Sequence, residues 1–236
     1  MTLADVQAEL TQLADPADAK NLAWFFKTGP GDYGEGDQFR GIRVPVIRKL
    51  VRKARELPLA DVTALLASPW HEDRLLALLI LVEQYRRGDV ATRQAIFDLY
   101  LAHTDRINNW DLVDSSAEHN VGPHVFGDDT ALLTRLAQSS SLWERRIAML
   151  ATSYFIGQGS FDEPLRIAGL LLHDKHDLIH KAVGWMLREI GDRDLAAEEA
   201  FLVRHYKTMP RTMLRYAIEK FPTDRRQAYL RGEIGE

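Results

Sequence analysis

The chain has 236 residues, 46% of them hydrophobic, with no cysteine and a formal net charge of −4. That length holds one large domain or two small ones with a sizeable core. The lack of cysteine excludes disulfides, thiolate catalysis and cysteine-ligated metal. No apolar run approaches the roughly 18 residues of a membrane span. The opening MTLADVQAEL lacks a signal-peptide pattern, so a cytoplasmic protein without membrane partners is expected. Nucleic-acid-binding domains are usually basic, so the net charge argues weakly against one; the charge gathered on one face decides the matter.

In chain order, the stretch from Gly29 to Gly41 is rich in glycine but lacks the GK[ST] ending of a phosphate-binding loop. It reads as a turn-rich connector. Asp32, Glu35 and Asp37 do not have EF-hand spacing and are expected to form a solvated acidic loop. Beyond it, apolar residues recur at three and four, as in Leu75, Leu76, Leu79, Ile80 and Val82, and again in Leu150, Tyr154 and Phe155. Capping types at Ser68, Thr104, Ser141 and Thr223 mark helix starts. Pro58, Pro69, Pro123, Pro164 and Pro210 fall at boundaries, and no alternating strand pattern of useful length occurs. His173, His176 and His180 can share a helix face, yet no HExxH arrangement accompanies them and no metal site is expected. Ser115 and Ser116 have His119 within a turn but no further triad signature.

A repeat emerges when charged helix positions are aligned. Arg74, Asp114, Arg146, Lys181 and Arg215 follow one another at gaps of 40, 32, 35 and 34 residues. Periods in this range suit two-helix repeats of the HEAT type. The expected fold is therefore all-α, a HEAT-like helical-repeat solenoid with a concave basic face, forming a single domain over residues 1–236. Arg74, Arg146, Lys181 and Arg215 would make a phosphate track. Asp114 breaks the pattern. It either caps or pairs within its own helix, or serves chemistry.

Trp110 and Asp114 lie one helical turn apart, and Lys181, Trp185 and Arg188 share a face through spacings of four and three. Breaking an N-glycosidic bond develops an oxocarbenium ion, which a carboxylate stabilises. Tryptophan faces attract cations. The alternative is that these tryptophans are core residues.

The segments NNWDLVDSS, LWERRIA and HKAVGWMLRE, together with the block over residues 25–50 that contains GI-x-x-P, resemble the AlkD family of DNA alkylation repair glycosylases, in family order. The resemblance implies Asp114 as catalytic carboxylate, with Trp110 and Trp185 flanking the lesion's sugar and backbone and Arg146 on a nearby phosphate. It implies excision of N3- and N7-alkylated purines from double-stranded DNA without extruding the base. A monomer with neither metal nor cofactor is expected. The Gly29–Gly41 segment departs from some members in length and acidity. Arg43, after Gly41-Ile42, suits a phosphate or groove contact, with Phe26 packing nearby. The expected DNA grip is thus Arg43, Arg74, Arg146, Lys181, Arg188 and Arg215. Lys181 as a Schiff-base nucleophile is less economical than a phosphate contact. The rival readings are a catalytically silent helical-repeat DNA-binding protein and a protein-interaction scaffold.

Overall fold

The first helix, α1 (Leu3–Gln12), starts on a reciprocal capping box: the Thr2 hydroxyl accepts from Asp5 N–H, and the Asp5 carboxylate accepts from Thr2 N–H. The computed structural model describes residues 1–127 and 130–235, and helices follow one another through them, with no β-strand among the described residues. The all-α helical-repeat fold read from the sequence is the fold observed. The sequence was read as one domain over 1–236; by packing, the chain divides into two compact units, Met1–Asn120 and Val121–Glu236.

Unit 1 continues with α2 (Pro16–Phe25), α3 (Val44–Ala54), α4 (Leu59–Leu66), α5 (His71–Arg87), α6 (Val90–Ala102), α7 (Trp110–Asp114) and α8 (Ala117–Asn120). Helix α5 is its centre, because Leu75 to Leu81 is apolar on every side and a helix of that kind buries all round. Helices α3, α4, α6, α7 and α8 all pack against it. Each fully buried leucine or isoleucine there contributes about 1.5–3 kcal/mol of transfer free energy.

Unit 2 holds α9 (Gly122–Val125), α10 (Ala131–Ala137), α11 (Leu142–Gly157), α12 (Asp162–Leu170), α13 (Asp177–Gly191), α14 (Leu195–His205), α15 (Arg211–Ala217) and α16 (Thr223–Arg231). Helices α11, α13 and α15 pack side by side, while α10, α12 and α14 back them. The aligned repeat positions match this layering. Arg146, Lys181 and Arg215 each stand fifth in α11, α13 and α15.

Of the four expected capping residues, Ser141 caps α11 by accepting from Glu144 N–H. The other three differ. The Ser68 hydroxyl accepts from Trp70 N–H and donates to Asp73, so α5 starts later, at His71. Thr104 opens a single 3₁₀ turn, and Asn109 caps α7. Thr223 is already inside α16, behind Pro222, whose fixed φ directs the chain into the helix.

Helices α13 and α15 approach so closely that a Cβ on Gly184 would lie 2.4 Å from the Met213 carbonyl oxygen. Gly184→Ala is therefore expected to lower the unfolding free energy by roughly 1–3 kcal/mol, as overpacking does. Urea denaturation measures it, and an unchanged midpoint would refute the close approach.

Candidate active site

The first turn of α5 reads His71-Glu72-Asp73-Arg74, and all four residues are buried. Each has a partner that brings a distant segment to it. Both oxygens of Glu72 accept backbone N–H groups, one from Arg40 and the other from Gly41 and Ile42. Asp73 takes the Arg40 guanidinium through two hydrogen bonds, at 2.7 and 3.0 Å. Arg74 donates to Asp37 at 2.6 Å and to Asn108 at 3.1 Å. His71 lies between two carboxylates, with Nδ1 2.8 Å from Asp37 and Nε2 2.8 Å from Asp111. Ionised carboxylates only accept hydrogen bonds, so both ring nitrogens must donate and the ring is an imidazolium. Burial alone would lower the His71 pKa; the charges and hydrogen bonds of Asp111 and Asp37 outweigh it and raise the value to about 9. For Asp37, burial pushes the pKa up, but His71 and Arg74 bring it below the usual range.

Asp37 was expected in a solvated acidic loop, and the structure corrects this: its side chain is buried. The loop's other end is fixed by Gly41, whose φ of +87° and missing Cβ, which would lie 2.0 Å from the Asp15 carbonyl oxygen, admit only glycine.

Held this way, the loop stacks a row of aromatic rings. Phe39 lies 5.1 Å from Phe26, and Phe26 lies 5.2 Å from Trp110, both pairs nearly parallel. The His71 ring packs on Phe39 at 4.5 Å and on Phe26 at 4.9 Å. A cavity of about 530 Å³ opens beside the row, lined by Phe25, Phe26, Phe39, Arg43, Trp110 and Asp114 among others. Asp114, the last residue of α7 and half-buried, also lines a second groove of about 520 Å³ together with several arginines. One carboxylate thus stands where an aromatic cavity meets a basic groove.

The structure brings Trp110, Asp114 and Arg43 to this cavity. Arg43 is exposed and paired with Asp18 at 2.7 Å. Trp185, Lys181 and Arg188 lie on α13, Arg146 on α11 and Arg215 on α15, all in unit 2. Arg74 requires a correction. It is only 2% exposed, and its two terminal nitrogens donate to Asp37, Asn108 and the carbonyls of Ser68 and Pro69, so it braces the loop instead of meeting phosphate. Arg146 is 5% exposed, its guanidinium donating to the Leu178 carbonyl at 2.5 Å. Arg188 is half-buried and paired with Glu219. Lys181 pairs with Asp177 at 2.6 Å, while Arg215 is exposed. Trp185 is half-buried and donates from Nε1 to Glu189. His71, Glu72, Asp73, Asp37 and Asp111 were not singled out as a unit by the sequence reading. Their signal was four consecutive charged residues opening a helix too apolar to have an exposed face.

The raised pKa of His71 gives a definite sign. Its stabilising contribution is fully present below the unfolded value of roughly 6.5 and is lost as pH rises through about 9. The gap in melting temperature between the native chain and His71→Gln should be widest at or below pH 6.5 and shrink above pH 9. A gap that instead narrows as pH falls through about 6.5 would show that the ring is buried neutral.

A search of curated proteins returned no match. Among solved structures, one described as a predicted DNA alkylation repair enzyme from Enterococcus faecalis aligns with a TM-score of 0.68 at 17% identity. The alignment covers 89% of this chain and 97% of that one, a likeness of fold. The sequence profile of the DNA alkylation repair enzymes matches residues 6–221, nearly the whole chain. With its repeat fold and that match, the chain belongs to the DNA alkylation repair enzyme family.

Proposed function

We propose that this member is a monofunctional glycosylase, hydrolysing the N-glycosidic bond of cationic N3- or N7-alkylated purines in duplex DNA. The observation that carries the reading is the position of Asp114, half-buried between an aromatic cavity and an arginine-lined groove. An alkylated purine already bears a positive charge, so the C1′–N bond breaks with its electron pair moving to the base, which leaves neutral. The sugar becomes an oxocarbenium ion. The Asp114 carboxylate stabilises that cation and orients a water, whose oxygen bonds to C1′ while its proton passes to solvent.

The Trp110 ring, held in place by Phe26, would flank the sugar and backbone of the lesion, and Trp185 of unit 2 would do the same. Tryptophan faces favour the positive charge of the base and of the developing sugar cation. Arg43, Lys181 and Arg215 would hold phosphates, Arg43 and Lys181 by exchanging the carboxylates of Asp18 and Asp177 for a phosphate oxygen. Arg146 and Arg188 contribute less to the grip, being committed to the Leu178 carbonyl and to Glu219. The base need not leave the helix stack, since the reacting bond lies at the backbone. The reaction as written requires no cofactor, and a single chain carries Asp114, Trp110 and Trp185.

The test is base release from a duplex with a single N7-methylguanine. Asp114→Asn keeps the shape but removes the charge. It is expected to slow release by about 100-fold or more, with duplex affinity retained. Equal losses in release and binding would remove the catalytic role. No release by the native chain would leave a catalytically silent DNA-binding repeat.

A further inference from the structure

We infer that unit 2 carries a ligand site of its own, a pocket among α13, α14 and α16 that takes a small aliphatic cation through an ammonium group on Glu198. The pocket measures about 430 Å³, and Glu198 lines it together with Gly191 of α13, Leu195 of α14 and Asp224 of α16. Neither Asp114 nor either of the tryptophans Trp110 and Trp185 lines it, so the site stands apart from the reaction assigned to them.

Glu198 is the observation that carries the inference. Its side chain is 1% exposed, and its Oε1 is enclosed with no hydrogen-bond partner among the described residues. Glutamate is almost never fully buried unless it is paired. The fold nevertheless makes room for this carboxyl. A Cβ on Gly191 would overlap Glu198 Oε2, so α13 ends on the residue type that leaves the oxygen its place.

The surrounding charges give the sign of the ligand. Asp192 pairs with Lys220, and Glu199 pairs with Arg225 at 2.8 Å. Arg188, the third base of the pocket, pairs with Glu219. Glu198 and Asp224 are the two acids of the pocket left without an ion-pair partner among the described residues. Burial and the charges of Asp192 and Glu199 push the Glu198 pKa up to about 8, with Arg188 opposing them. With no cation beside it the carboxyl therefore keeps its proton at neutral pH, and a cation that binds it displaces that proton.

Size and wall chemistry select the kind of cation. No three acids or histidines among the described residues are placed to hold a metal ion. The volume falls within the roughly 300–1,000 Å³ of small-molecule sites. Leu195, Ala217 and Phe221 supply an apolar wall for an alkyl stem. A primary ammonium brings the donors that Oε1 lacks, and with a pKa of about 10.4, as in lysine, it stays charged through pH 8. Tyr229 of α16, whose hydroxyl burial pushes up to about 12, is neutral over the same range.

The test titrates 1,4-diaminobutane into the full chain by isothermal calorimetry at pH 7, in two buffers of different ionisation enthalpy. Saturable binding with release of about one proton is expected, and affinity should fall by about tenfold for each pH unit below 8. Glu198→Gln keeps the shape and the neutrality that the free carboxyl has at pH 7. It should bind at least about 10-fold more weakly and release no proton. Glu56→Gln removes an exposed acid of unit 1 and should stay within about twofold of the native chain. Gly191→Ala, which crowds the carboxyl from its place, should also lose about 10-fold and decides the matter if Glu198→Gln does not fold.

No saturable binding up to about 10 mM overturns the site. So does binding without proton release, an equal loss in Glu56→Gln, or displacement of the diamine by magnesium chloride at equal ionic strength. Base release enters none of these readouts, so failure of the glycosylase reading leaves the pocket to be decided by them alone.

Discussion

The candidate site depends on the burial of an ionised helix turn. Removing ions from water costs several kcal/mol each even after relaxation, and His71, Glu72, Asp73 and Arg74 recover that cost only by meeting Asp37, Asp111, Arg40 and three backbone N–H groups. A network of this kind is weak evidence for net stability. It specifies geometry, because each ion forbids any packing that leaves it unpaired. Two segments, residues 37–42 and residues 108–111, are the ones it brings to α5. The two acids also sit at the positive end of the helix dipole, which favours them there.

Position is the functional result. The loop that Glu72, Asp73 and Arg74 hold carries Phe39; the Phe39 and Phe26 rings stack on each other, both pack against the His71 imidazolium, and Phe26 supports Trp110. Asp111, on the short helix α7, is held by His71, and Asp114 follows one turn later on the same element. A carboxylate on a five-residue helix would move freely if only its own backbone bonds held it. Here the helix is pinned at Asp111 by an ion pair and at Trp110 by stacking. Pre-organised charge stabilises a developing cation because no reorganisation is needed as the bond breaks.

The charges thus divide into two classes with opposite fates. Those on the first turn of α5 are internal and matched. Those on α3 and at the end of α5 face a groove and outnumber the carboxylates beside them. An acidic total for the chain conceals both facts, which is why net charge is a poor guide to what such a protein binds.

Helical periodicity, the repeat spacing and the motifs around Trp110, Arg146 and Trp185 were legible in the sequence, since side-chain periods of 3.6 and repeat lengths are properties of order along the chain. Asp114 stood out as the one acid in a register of bases, a pattern that left a cap or pair within its own helix open; its role as carboxylate is what the family resemblance implies. Burial could not be read there. Arg74 and Arg215 occupy aligned positions, yet one is enclosed and the other exposed. Asp37 looked like any acid in a glycine-rich loop. Its fate depends on His71 and Arg74, more than 30 residues away in the chain. Sequence by itself determined the elements, their order and the candidate carboxylate, because local patterns encode them. Only the tertiary structure decided which charges are neutralised inside and which face a groove, because an ion's environment is made by residues remote in sequence.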